Sequence, residues 1–134
     1  MAIITNIGTA ENSSRQSLVA NEDLSSSKDC FVSLVASASA NAKVGLPTGE
    51  GTLILGVLQN EPESGEYATV QITGQVKVKA AEAVNSGIAV QVTTAGKVKA
   101  AASGDFVAGY TLTPATAADE LVIVLLQGTK PQLN

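Results

Sequence analysis

Short runs of apolar and β-branched residues, separated by turn residues, constrain this chain most strongly. Residues 67–73 (Tyr-Ala-Thr-Val-Gln-Ile-Thr) alternate apolar and polar side chains, and residues 75–79 (Gln-Val-Lys-Val-Lys) place valines on one face only. Such alternation is typical of a half-buried strand. Similar but less regular runs occupy residues 30–35, 53–58, 88–93, 97–99, 106–110 and 120–126.

Turn residues lie between these runs, for example Asn85-Ser86-Gly87 and Ser103-Gly104-Asp105. Strands that recur about every 8–12 residues with turns between them predict an all-β barrel or sandwich, not a parallel βαβ sheet. A helix fits only within the first thirty residues or around residues 80–84. The fold class predicted from the residues is therefore all-β.

The composition changes near residue 30. Before this point the chain is mostly polar, and it buries too little apolar surface to fold alone. We therefore divide the chain into an N-terminal arm (1–29), a β domain (30–127) and a C-terminal tail (128–134). Two interpretations of the arm are open: it docks on a neighbouring subunit or partner, or it forms a local strand or helix.

Composition excludes several kinds of chemistry. The 134 residues include no histidine and one cysteine, so a Ser-His-Asp triad, a Cys-His pair and a tetrahedral zinc site are not expected. The net charge of −4 with 8 basic residues argues against direct nucleic-acid binding. The apolar run at residues 121–126 is too short to span a membrane, and the N-terminus lacks the pattern of a signal peptide.

The remaining candidate sites also have simple structural interpretations. Glu61, Glu63 and Glu66 form the densest carboxylate cluster, but they surround Pro62 and Gly65 in a predicted exposed turn. The lysines at 77, 79, 97 and 99 alternate with apolar residues, which favours outward-facing strand lysines over a modified carrier lysine. We expect no enzyme activity, no cofactor, no metal and no small-molecule substrate.

A weak internal repeat divides the chain into two halves. Gly56, Glu66 and Val70 correspond to Gly109, Glu120 and Val124, at offsets of 53 or 54 residues. Two similar β halves would produce this pattern. Chance similarity in a chain rich in small residues is the alternative.

Low charge suggests a surface that other proteins cover. Charged residues make up 15% of the chain, against about 25% in a typical globular domain. A monomer normally keeps itself soluble with a mixed charged surface. We therefore expect contacts with further copies or with a scaffold.

Residues 55–70 (Leu-Gly-Val-Leu-Gln-Asn-Glu-Pro-Glu-Ser-Gly-Glu-Tyr-Ala-Thr-Val) carry a resemblance to a known family. The chain resembles the capsid decoration, or cement, proteins of tailed bacteriophages over roughly residues 30–127. The matching features are Gly56 to Gln59, Pro62, Gly65-Glu66, 68–72, 74–78, 106–112, 114–118 and 120–126.

The resemblance implies a small β-barrel or β-tulip-like domain with an extended N-terminal arm. It also implies a structural virion protein, made in the host cytoplasm, that binds the outer capsid surface. There it would stabilise the shell by clamping neighbouring major capsid protein subunits, commonly as a homotrimer. No nucleic acid or membrane partner is implied.

An arm of this kind can add strands or lie across subunit seams through main-chain hydrogen bonds. We expect the capsid or subunit interface to include Ile3, Ile4, Asn6, Ile7, Leu18 and Val19.

Two alternatives remain open: a receptor- or glycan-binding β module of a fibre or adhesin, and a minor structural subunit of a tail. The chain has no tryptophan and only four other aromatic residues, which makes it poorly suited to stacking sugars.

Overall fold

Ten strands form two five-stranded antiparallel sheets in the computed structural model, which describes residues 14–127 and 130–133. Over these residues there is no α-helix, which confirms the all-β class. The strands are β1 Arg15–Val19, β2 Phe31–Val35, β3 Lys43–Gly45, β4 Gly56–Leu58, β5 Tyr67–Gln71, β6 Gly74–Lys79, β7 Ala89–Val92, β8 Val98–Ala100, β9 Gly109–Thr111 and β10 Leu121–Leu126.

The two sheets repeat one topology. The first has the strand order β1-β5-β4-β2-β3 and the second the order β6-β10-β9-β7-β8, so each strand of the first half has its counterpart five strands later. Corresponding residues occupy the same ladder positions: Gly56 pairs with Val32, and Gly109 pairs with Val90. The weak repeat in the sequence is therefore a structural repeat.

Each sheet curls until its two edges meet at one parallel bridge. Ala20 bridges Val44 in the first half, and Ala80 bridges Val98 in the second. Among the described residues no ladder accompanies either bridge. Among the described residues the sheets therefore do not close into the predicted barrel, and the domain is a small β-sandwich-like unit.

Residues 15–19 of the predicted arm form a strand of the first sheet. Strand β1 pairs with β5 along its whole length, from Arg15 opposite Gln71 to Val19 opposite Tyr67. Ala20 and Leu24, which follow β1, are buried in the hydrophobic core of the first half. For these residues the structure shows the local-strand alternative, whereas residues 1–13 lie outside the described residues. The boundaries of the three predicted segments stay a prediction.

Strands β2 and β4 lie between two hydrophobic cores. Val32 and Leu58 belong to the core of the first half, whereas their neighbours Phe31 and Val57 belong to the core of the second half. All four side chains are fully buried. Because successive residues of a strand point to opposite faces, one sheet can serve both cores and join the halves.

Glycine is required where β4 and β9 pass close to a neighbouring strand. A Cβ atom on Gly56 would lie 2.2 Å from the carbonyl oxygen of Gln71, and one on Gly109 would lie 2.5 Å from a methyl carbon of Val124. Real Cβ contacts are not this short, so any side chain would push the two strands apart.

We expect Gly56→Ala and Gly109→Ala each to lower the free energy of unfolding by about 1–3 kcal/mol or more, because each overpacks a ladder position. Gly49→Ala is the control, since its Cβ would meet only a methyl group of Thr52 at 3.3 Å. Urea unfolding of the three variants measures the difference. Equal stability of all three would show that the close approach imposes no constraint.

Candidate interface

The predicted interface residues fall into two groups. Ile3, Ile4, Asn6 and Ile7 lie outside the described residues. Leu18 and Val19 lie at the end of β1 and are half-buried, and Leu18 packs against the core of the first half. The structure therefore describes two of the six predicted residues, which are neighbours in the sequence, and their role in an interface stays a prediction.

Leu18 and Val19 line a small depression of about 260 Å³ beside Tyr67. Tyr67 is 69% exposed and lies opposite Val19 in the β1–β5 ladder. Its neighbours on β5, Ala68 and Val70, point into the core. We call this depression the edge groove; it is lined by Ser17, Leu18, Val19, Asn41, Ala42 and Tyr67.

A larger depression of about 500 Å³ is almost entirely aliphatic. Two of its leucines, Leu34 and Leu53, are 53% and 55% exposed although they are large apolar side chains. The ammonium group of Lys130 donates a hydrogen bond to the carbonyl oxygen of Gln127, and burial lowers the pKa of Lys130. We call this depression the apolar groove; it is lined by Leu34, Leu53, Ile54, Leu55, Ile72 and Lys130.

A third depression, of about 480 Å³, is polar and lies between the two halves. Arg15, Lys28 and Lys77 line it together with one carboxylate, Asp29, and several glutamine side chains. The ion pairs among residues 14–127 and 130–133 are Lys97–Asp119 at 2.5 Å and Lys99–Glu50 at 2.7 Å. The three cations of this polar cleft therefore have no carboxylate partner within that part of the chain.

The carboxylates singled out in the sequence lie in exposed turns. Glu61, Glu63 and Glu66 are all exposed, and the carboxylate of Glu66 accepts a hydrogen bond from the backbone N–H of Glu63 at 2.7 Å. Glu120 accepts one from the backbone N–H of Thr116 at 2.9 Å, which lowers the pKa of Glu120. Both glutamates therefore stabilise turns.

The described part of the chain gives little support for a cysteine nucleophile, a metal site or a membrane-spanning helix. Cys30 is buried, and burial raises the pKa of its thiol, which makes it a weak nucleophile. Among residues 14–127 and 130–133, no group of three or more acidic or cysteine side chains is arranged to hold a metal ion. The helices that a membrane span would need are not found among the described residues either.

Comparison with known families identifies the chain. Residues 26–126 match the family model of phage cement proteins, and this match covers most of the chain. The chain belongs to the phage cement protein family. It is thus a capsid-associated structural protein of a bacteriophage, as the sequence resemblance indicates. No curated protein matches the chain in sequence.

The fold of this cement protein also occurs in a solved phage structure. The N base of the head fiber protein gp8.5 of bacteriophage phi29 superposes with a TM-score of 0.69 at 14% sequence identity. The alignment covers 88% of this chain and 97% of that one. At this identity the similarity concerns the fold.

Sequence reasoning missed the exposed apolar residues of the grooves. A signal existed for Tyr67, because the inward positions of Ala68 and Val70 place it on the outer face of its strand. No such signal existed for Leu34 or Leu53, because their segments are apolar on both faces.

Proposed function

We propose that this cement protein binds the outer surface of the phage head and stabilises the shell by clamping neighbouring major capsid protein subunits. The observation that carries the proposal is the match of residues 26–126 to the cement family. The exposed apolar residues on the β domain support it, because a surface of this kind is suited to being covered by another protein.

The proposed clamp stabilises the shell through thermodynamic linkage between binding and assembly. A protein that binds the assembled shell, but not its separated subunits, stabilises the shell by mass action. The gain is about 2.7 kcal/mol per site at a hundredfold excess of free protein over Kd. Because many equivalent sites cover a shell, modest affinity at each site is sufficient.

The edge groove supports a contact made by β1 and β5. Tyr67 presents a large aromatic ring beside Leu18 and Val19, and tyrosine is enriched at positions that contribute most to binding. We propose Leu18 and Val19, together with Ile3, Ile4, Asn6 and Ile7 of the arm, as contacts with the capsid or with a neighbouring copy. The copies form a homotrimer in this proposal.

Tyr67→Ser tests the contact at the edge groove. We expect the variant to raise the Kd for empty expanded shells of the cognate phage about tenfold, which corresponds to about 1.4 kcal/mol. Its free energy of unfolding changes by less than about 0.5 kcal/mol, because the side chain is exposed. Shell co-sedimentation measures the Kd, and urea unfolding of the free variant measures its free energy of unfolding. The melting temperature of the decorated shell shows whether the weaker binding also lowers the stability of the shell.

Leu112→Ser is the matched control, because Leu112 is 44% exposed and lines none of the three depressions. It should change the Kd by less than about twofold. If the wild-type protein leaves the shell's melting temperature unchanged at saturation, the clamp is wrong. If both variants bind equally well, the edge groove is not the contact.

The proposed trimer makes a separate prediction. Light scattering of the purified protein should give three times the mass of one chain over a wide range of concentration, because the copies cover one another's apolar surface. The mass of a single chain at every concentration would contradict the trimer without affecting the clamp.

A further inference from the structure

The apolar groove leaves aliphatic side chains in contact with solvent. Leu34 and Leu53 are each more than half exposed, and Leu55 and Ile72 are only half-buried. Exposed apolar residues that form a concave patch, instead of being scattered singly, mark a binding surface. Its volume of about 500 Å³ is large enough for several aliphatic side chains.

The described chain begins at the wall of this groove. The backbone N–H of Ile72 donates a hydrogen bond to the carbonyl oxygen of Ser14 at 2.7 Å. This bond extends the β1–β5 ladder by one residue beyond the pair Arg15–Gln71. Because Ile72 itself lines the groove, residues 1–13 are attached directly beside it.

The composition of residues 1–13 matches the groove. The segment contains three isoleucines, at positions 3, 4 and 7, and its only charged side chain is Glu11. The one charged side chain that lines the groove is Lys130, a half-buried cation. The segment and the groove are thus complementary both in apolar character and in charge.

The connection is long enough for binding within one chain. Residues 8–13 separate Ile7 from Ser14, and six extended residues span about 20 Å. A connection of this length gives the tethered segment a local concentration in the millimolar range. A copy outside the proposed trimer reaches that concentration only in very concentrated solution. Within a trimer the same chain is favoured, because its own Ser14 is bonded to Ile72 at the groove wall.

We propose that, in the free protein, the apolar groove binds Ile3, Ile4 and Ile7 of the same chain, with Glu11 beside Lys130. The arm is held on the domain until a shell competes for it; this last step rests on the proposed function. If the arm is docked in the groove for most of the time, only the fraction of molecules with a free arm can bind the shell. The apparent affinity of the protein for the shell is reduced by that fraction. Loss of the groove should therefore tighten shell binding.

A single-tryptophan reporter tests the docking in the free protein. The chain has no tryptophan, so Ile7→Trp introduces the only one. We expect the blue-shifted emission of a buried indole, and a shift to the emission of a solvated indole when Leu53→Ser is added. Leu112→Ser, which replaces an equally large exposed leucine outside the groove, should leave the emission unchanged.

Methyl NOEs in the native sequence keep the test valid if the indole is too large for the groove. Contacts between the methyl groups of Ile3, Ile4 or Ile7 and those of Leu34 or Leu53 support the proposal. Their absence overturns it, whatever emission the tryptophan variant shows. Contacts seen only between differently labelled copies assign the groove to a second copy and also overturn it.

Shell titration separates this inference from the proposed function. Leu53→Ser should bind the shell more tightly than the wild type, because it frees the arm. If the NOEs are present but no variant binds a shell, the proposed function fails and the docking stands. If the wild type binds a shell and the NOEs are absent, the docking fails alone.

Discussion

The packing of Phe31 and Val32 on opposite faces of β2 joins the two halves of the molecule. Phe31 is fully buried in the core of the second half, and Val32 in that of the first. The backbone N–H of Phe31 donates a hydrogen bond at 2.7 Å to the carbonyl oxygen of Gly96, which belongs to the second half. Burial of a phenylalanine contributes about 1.5–3 kcal/mol, and here it also fixes the position of one sheet against the other.

The repeat places related residues at related positions of the two sheets. Tyr67 begins β5 and Leu121 begins β10, each opposite the last residue of its partner strand, and both are exposed. Around them the halves differ: the edge groove beside Tyr67 is partly apolar, whereas Leu121 lies in the polar cleft with Lys28 and Lys77. One duplicated scaffold thus carries two different surfaces.

Much of the fold could be predicted from periodicity, because β5 and β6 expose one face and alternate cleanly. The family could be predicted from the motifs around residues 55–70. Strand β1 could not be predicted from the sequence, since Arg15, Gln16 and Ser17 are polar and the strand forms through its pairing with β5. The exposure of Leu34 and Leu53 could not be predicted either, because β2 and the segment before β4 contact two cores and carry apolar residues on both faces.

The proposed clamp needs a folded domain and surfaces that a partner can cover, and this chain has two buried cores and exposed apolar residues. A density map of the cognate shell reconstituted with the protein tests the clamp most directly. We predict that each copy contacts at least two neighbouring capsid subunits on the outside of the head, with Tyr67 facing the shell. Density attached to one subunit only, or located on the inside, would contradict it.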